Sequence, residues 1–84
     1  MNIYARNLNY SLQEDELRDV FSAYGEVTSV KIIKDRATGR AKGYAFIEMP
    51  NDDEGTEAIN ALNGTDVKGR NIMVSEALPP KGRD

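Results

Sequence analysis

Aromatic, basic and apolar side chains alternate between residues 41 and 49, which read AKGYAFIEM. If this segment is a β-strand, successive side chains point to opposite faces, so Tyr44, Phe46 and Glu48 share one face. Aromatic rings stack on other planar rings, and the nearby Lys42 can bind an anion as a compact point charge. The residue types and their spacing therefore indicate non-covalent recognition at the face of a sheet.

Covalent and metal chemistry have little support in this composition. The 84 residues include no cysteine and no histidine, which leaves no disulfide, no thiolate metal site, no nucleophilic cysteine and no histidine base. A zinc site would have to be all-carboxylate, a poor match to the preferences of zinc. We therefore expect no metal, no cofactor and no enzymatic activity.

The net charge of −3 is unevenly distributed along the chain. Residues 13–26 hold five acidic and one basic side chain, a net of −4, and the four acids of residues 51–57 add another −4. Residues 31–44 hold five basic and one acidic side chain, a net of +4. An acidic protein with a basic pole can still bind a polyanion, whereas the acidic segments are expected to be solvated faces.

A chain of this length predicts one small domain with a single two-layer core. Its apolar runs are far shorter than a membrane span and no segment resembles a signal peptide, so we expect a cytoplasmic protein without membrane contact. We also expect a monomer. The end of the chain is rich in Pro, Gly and charge. We expect a domain over residues 1–77 and a flexible tail over residues 78–84.

The first helix is predicted from a cap, an apolar stripe and a stop. Ser11 and Glu14 fit a capping box, and apolar residues then recur at helical spacing from Leu17 to Tyr24. Gly25 is suited to end the helix as a left-handed residue.

A second helix and four strands complete the pattern. The helix would be capped by Asn51 or Asp52 and run to about Leu62, with Asn63-Gly64 closing it. β-branched or alternating segments predict strands over residues 1–7, 27–34, 41–49 and 72–76.

The resulting order, βαββαβ, is that of the α+β ferredoxin-like fold, a four-stranded antiparallel sheet with two helices packed on one face. Each crossover leaves room for one strand, which places the first and third strands in the middle. The core would then contain Ile3, Ala5, Ala45, Ile47, Met49, Ile72 and Val74. Tyr4, Tyr44 and Phe46 would lie together on the uncovered face, which is unusual unless that face binds a partner.

Residues 42–49, KGYAFIEM, resemble the octapeptide ribonucleoprotein motif of the RNA recognition motif (RRM) family. Residues 3–8, IYARNL, resemble the hexapeptide that accompanies it on the first strand. Residues 35–40, DRATGR, are similar to the usual connection between the second and third strands of this family. The resemblance covers residues 1–77 and implies single-stranded RNA binding, with single-stranded DNA left open as a partner.

The resemblance implies roles for the matching residues. Tyr4 and Phe46 would each stack on a base, and Tyr44 would pack against sugars or a base edge. Lys42 would contact phosphate, and Asn7 would offer hydrogen bonds. Further candidates on the same face or in the basic loop are Arg6, Lys31, Arg40, Glu48, Met73 and Ser75.

Four positions depart from the family motifs or leave a choice of role open. Met49 replaces the usual aromatic residue but faces the core, and Ala5 is a smaller core residue than usual. Arg6, where Gly is common, would add a cation beside the aromatics. Glu48 would either accept a hydrogen bond from a base amino group or pair with a neighbouring cation.

Alternative interpretations remain at this level. The three aromatics could be core residues beneath a layer formed by Leu78 and the tail prolines, and the basic loop could simply be solvated. Protein recognition on the same scaffold is the alternative function. An acylphosphatase-like hydrolase is disfavoured because residues 7–11, NLNYS, contain neither the Gly nor the Arg of a phosphate-cradling loop.

Overall fold

The computed structural model describes residues 1–77, so the prediction for the tail at residues 78–84 falls outside the described residues. Within the described range the order of elements is β1 (Asn2–Arg6), α1 (Glu14–Ser22), β2 (Ser29–Lys34), β3 (Ala41–Glu48), α2 (Asp52–Leu62), β4 (Asp66–Val67), β5 (Arg70–Asn71) and β6 (Met73–Glu76).

Four of these strands form one antiparallel sheet in the order β2-β3-β1-β6. The central pair, β1 and β3, is in register from Asn2 opposite Glu48 to Arg6 opposite Tyr44. The α+β ferredoxin-like architecture is therefore confirmed, with the first and third strands in the middle of the sheet as expected.

Because side chains alternate along each strand, the sheet has one buried face and one exposed face. Buried apolar residues from the inner face of all four strands pack with Leu17 and Phe21 of α1 and with Ala58 and Leu62 of α2. Every residue assigned to the core from the sequence is buried: Ile3, Ala5, Ala45, Ile47, Met49, Ile72 and Val74.

The predicted cap of α1 at Ser11 and Glu14 is wrong. The Asn9 side chain accepts hydrogen bonds from both the N–H (2.8 Å) and the hydroxyl (2.7 Å) of Ser11, which keeps Ser11 in a turn. The helix begins after Gln13, whose N–H donates to the Glu16 carboxylate at 2.8 Å. The capping pair is thus displaced by two residues, because a local side chain competes for the earlier position.

The predicted stop at Gly25 is also wrong in its geometry. The helix ends at Ser22 with Ala23 as its cap, and Gly25 has a φ of 158°, far from the left-handed helical conformation. A Cβ at Gly25 would collide with the Glu54 side chain of α2. Glycine leaves room here for the Glu54 side chain of α2 and does not end α1.

The second helix begins as the sequence predicts, because the Asn51 side chain accepts the Glu54 N–H at 3.0 Å. No helix in the described part of the chain is both long and apolar enough to cross a membrane.

A small hairpin, β4 paired with β5, precedes the last strand and is not among the four strands predicted from the sequence. Its two-residue turn has positive φ at both Lys68 (54°) and Gly69 (89°), as tight hairpins of the right twist require. The strands have only two residues each, so no alternating apolar pattern could indicate them.

Candidate nucleic-acid interface

Three aromatic rings form a cluster on the open face of the sheet. The ring centroids of Tyr4 and Phe46 lie 5.1 Å apart, and the ring planes are inclined by 21°. Tyr44 stands edge-on to both, 5.8 Å from Tyr4 and 6.5 Å from Phe46. Phe46 is 41% exposed, and no layer formed by residues 1–77 covers the cluster. We call these three residues the aromatic platform.

Strand register arranges the surrounding side chains in transverse rows. The central row runs Lys31, Phe46, Tyr4, Ser75 across all four strands of the main sheet. The next row towards the end of β1 is Tyr44, Arg6, Met73, and the row on the other side is Ser29, Glu48, Asn2. Lys31, Met73 and Ser75, assigned from the sequence to this face, are all exposed there.

Arg6 lies beside the platform and not away from it. Its Cζ atom is 5.7 Å from the centre of the Tyr4 ring, within cation–π range. The guanidinium is therefore positioned against an aromatic ring while the side chain remains exposed. Such a group can hold a phosphate close to a stacked base.

Asn7 has a structural role that the sequence did not reveal. Its φ of 61° is left-handed, a conformation that Asn tolerates better than most residues. Its Nδ2 donates to the Asn71 carbonyl at 2.8 Å, and its Oδ1 accepts a hydrogen bond from the Arg70 guanidinium. Both polar atoms of Asn7 thus bind the β4–β5 hairpin, and Arg70 is held at the border of the platform.

The hairpin is also tied to the β1–α1 connection. The Lys68 ammonium lies 3.1 Å from both Glu16 carboxylate oxygens, and Asn9 Nδ2 donates to the Lys68 carbonyl at 2.9 Å. The hydrogen bond from the Gln13 N–H, together with Lys68, lowers the pKa of Glu16 below its ordinary value. These bonds fix the loops that border the platform.

A groove of about 180 Å³ lies where the platform meets these loops. It is lined from the sheet by Tyr4, Arg6 and Tyr44, and the surrounding lining includes Asn7, Tyr10, Lys42 and Arg70. The structure thus brings Lys42 next to the platform. Arg40 lies outside this groove, in the connection between β2 and β3.

Glu48 lies at the opposite end of the platform from Lys42. Its side chain is exposed and forms no salt bridge with any other residue in the range 1–77. The carboxylate therefore has free acceptor atoms beside Phe46. Within the same range there is no group of three potential metal ligands.

Tyr10 and Arg70 belong to this region, and the sequence did not single them out. Tyr10 is 69% exposed, the largest exposure among the large hydrophobic residues of the described chain. Tyr10 lies in a connection and outside any periodic pattern. The one signal in the sequence that could have identified it is the presence of an aromatic residue in a turn. Arg70 reaches the site through a hairpin that had no sequence signal.

Comparison with known proteins gives a consistent result. The family model described as RNA recognition motif matches residues 3–73. The chain is 45% identical over 83 residues to RbpB of Nostoc sp., which carries the name of an RNA-binding protein, and the match covers 99% of this chain and 81% of RbpB.

Solved structures agree with that match. The crystal structure of RNA binding protein PG1 is similar with a TM-score of 0.92 and 42% identity, covering 96% of this chain and 98% of PG1. The RRM of Rna15 with bound RNA (GU) is similar with a TM-score of 0.81 and 32% identity, covering 90% of this chain and 81% of that chain.

Proposed function

Because this chain belongs to the RNA recognition motif family, we propose that it is a non-catalytic module that binds single-stranded RNA on the open face of its sheet. The observation that carries the proposal is the aromatic platform, three rings clustered on a face that no described residue covers. Exposing such a cluster is unfavourable for a small domain unless a partner covers it.

Base stacking supplies the sequence-independent part of the affinity. The ring planes of Tyr4 and Phe46 are inclined by only 21°, so two neighbouring bases stacked on these rings would take similar orientations. Each stacked base contributes about 1–3 kcal/mol to the free energy of binding. Tyr44, edge-on to both rings, would pack against a sugar or a base edge.

Cations around the platform supply the electrostatic part. Lys42 and Arg6 line the groove at one end, and Lys31 stands beside Phe46 in the central row. We assign phosphate contacts to these three side chains and a weaker contribution to Arg40. Because phosphate binding releases counterions, the affinity should fall as the salt concentration rises.

The remaining polar groups on the face would read base edges. Glu48 accepts hydrogen bonds only, so it favours a base with an exocyclic amino group over one that presents a carbonyl. Ser75, opposite Tyr4 on β6, can donate or accept, and Met73 offers an adaptable apolar contact. Asn7 would act mainly by holding Arg70 at the groove.

Titration of the ¹⁵N-labelled protein with short random-sequence RNA pools tests the proposal and locates the face. The largest amide shifts are expected at Tyr4, Arg6, Lys31, Tyr44 and Phe46. A DNA pool of the same length measures discrimination by the 2′-hydroxyl.

Two outcomes would contradict the proposal. Absence of shifts up to high micromolar concentrations would exclude this RNA-binding function, and shifts confined to the exposed faces of α1 and α2 would place binding elsewhere. In either case recognition of a protein on the same scaffold becomes the function to test.

A further inference from the structure

Tyr10, in the connection between β1 and α1, is an exposed aromatic residue with a defined support. A Cβ atom at Gly43 would lie 3.1 Å from Tyr10 Cε1, so the tyrosine ring packs against the backbone of Gly43. Gly43 has a φ of 90°, and its carbonyl accepts the Leu8 N–H at 2.8 Å. The ring therefore contacts a backbone segment whose positive φ only glycine adopts readily. The Tyr10 side chain nevertheless remains 69% exposed.

A second and larger groove, of about 650 Å³, opens beside this ring, between it and the β2–β3 connection. The volume lies within the range of roughly 300–1,000 Å³ typical of small-molecule sites. Its lining combines apolar residues with three cations: Tyr10, Leu12, Ile32, Lys34, Arg40 and Lys42 are among the residues that form it.

The charge of this groove favours an anion. Asp35 is the acidic residue in its lining, and one of its carboxylate oxygens already accepts the N–H groups of Ala37 (2.7 Å) and Thr38 (3.2 Å). Glu14, from the start of α1, directs Oε2 to the Ile32 N–H at 3.3 Å. Both nearby acids are thus engaged by backbone donors.

The groove adjoins the smaller groove at the end of the aromatic platform. Tyr10 and Lys42 line both this groove and the smaller one that contains Tyr4, Arg6 and Tyr44. A strand that leaves the platform beside Tyr44 can therefore enter the larger groove past Lys42 and Tyr10. A planar, supported ring next to cations suits one unpaired nucleotide.

We propose that this groove binds one further nucleotide of the same RNA strand, its base against the Tyr10 ring and its phosphate near Lys42 and Arg40. The inference rests on the proposed function, because it requires a strand already lying on the platform. It extends the binding site from the sheet into the cleft between two connections. Tyr10 would then add more affinity for strands long enough to leave the sheet than for shorter ones.

The test compares random-sequence RNA pools of three and eight nucleotides, with Tyr10→Ala as the variant and Tyr10→Phe as its conservative partner. We expect Tyr10→Ala to weaken octanucleotide binding by roughly five- to a hundredfold and to weaken trinucleotide binding by a clearly smaller factor, because Tyr10 also borders the platform groove. Tyr10→Phe should retain wild-type affinity for both pools. Circular dichroism verifies that each variant is folded.

Arg40→Gln and Arg36→Gln form a charge-matched pair, since both remove one cation from the same connection and only Arg40 lines the groove. Arg40→Gln should weaken octanucleotide binding more than Arg36→Gln does. The backbone amides of Thr38 and Ala41 should shift with the octanucleotide and not with the trinucleotide.

Phe46→Ala separates this inference from the function on which it rests. One result would be that Phe46→Ala loses binding to both pools while Tyr10→Ala keeps its octanucleotide affinity. That result would overturn the proposed nucleotide site in the groove and leave the platform as the RNA site. Equal losses for the two lengths in Tyr10→Ala would also overturn it, because Tyr10 would then act on the platform itself. Unchanged binding of both pools by Phe46→Ala would overturn the platform as the RNA site.

Discussion

Tyr4 and Phe46 are direct cross-strand partners, and their ring centroids lie 5.1 Å apart on the open face of the sheet. The two rings therefore pack against each other, and each helps to hold the other in place. Removal of either ring would take away one proposed stacking surface for a base and one support for the remaining ring.

Tyr4→Ala and Phe46→Ala should each weaken RNA binding by about 1–3 kcal/mol, measured by fluorescence anisotropy. The double variant should lose less than the sum of the two, by about 0.5–1.5 kcal/mol, because the rings support each other.

Urea unfolding supplies the control. Phe21→Ala, at a fully buried position, should lower the free energy of unfolding by about 3–5 kcal/mol, and Phe46→Ala should lower it far less. Equal destabilisation by the two would show that Phe46 is a core residue.

Lys42→Gln should weaken binding and reduce its salt dependence. Each phosphate contact on a single strand contributes about −0.7 to the slope of log affinity against log salt concentration, so the slope should become shallower by about that amount. Arg18→Gln removes the same charge from the exposed side of α1, where the guanidinium donates to the Val27 carbonyl, and should leave the slope unchanged. Identical slopes for wild type and Lys42→Gln would exclude a phosphate contact at Lys42.

Glu48→Gln should reduce the preference for bases that carry an amino group. Competition between oligocytidine and oligouridine of equal length measures this preference, which should fall by about tenfold if a charged hydrogen bond is lost. Glu76→Gln is the matched control, because Glu76 pairs with the core residue Ile3 and so belongs to the opposite face of the same sheet. An unchanged ratio in Glu48→Gln would leave Glu48 without a role in base recognition.

Glu16 should make folding stability dependent on pH in the acid range. Its pKa is lowered from 4.5 in the folded protein by the Gln13 N–H and by Lys68, so the unfolded chain takes up this proton first as the pH falls. The stabilising contribution is complete above about pH 4.5 and is lost as the pH falls through the folded pKa. Urea midpoints at pH 7 and pH 3 should therefore differ less for Glu16→Gln than for wild type. Glu57→Gln, exposed on α2, should keep the wild-type difference.

The two-faced sheet could be predicted because its signal is local. Alternate residues of β1 and β3 must point to opposite faces, so the same sequence pattern that buries Ile3 and Ile47 exposes Phe46. The helices followed from apolar spacing in the same way. Their ends were less predictable, because Asn9 competes for Ser11 and because Glu54 of a distant helix occupies the space beside Gly25.

By itself, the sequence determined the order of the two helices and the four strands of the main sheet, the core and the aromatic face, since periodicity within a strand or helix is enough to assign a side chain to a surface. Only the tertiary structure decided which loops border that face. Tyr10 meets Gly43 across 33 residues of chain, and Arg70 meets Asn7 across 63. Such contacts depend on how connections close over the folded sheet, and no periodic pattern in the sequence records that geometry.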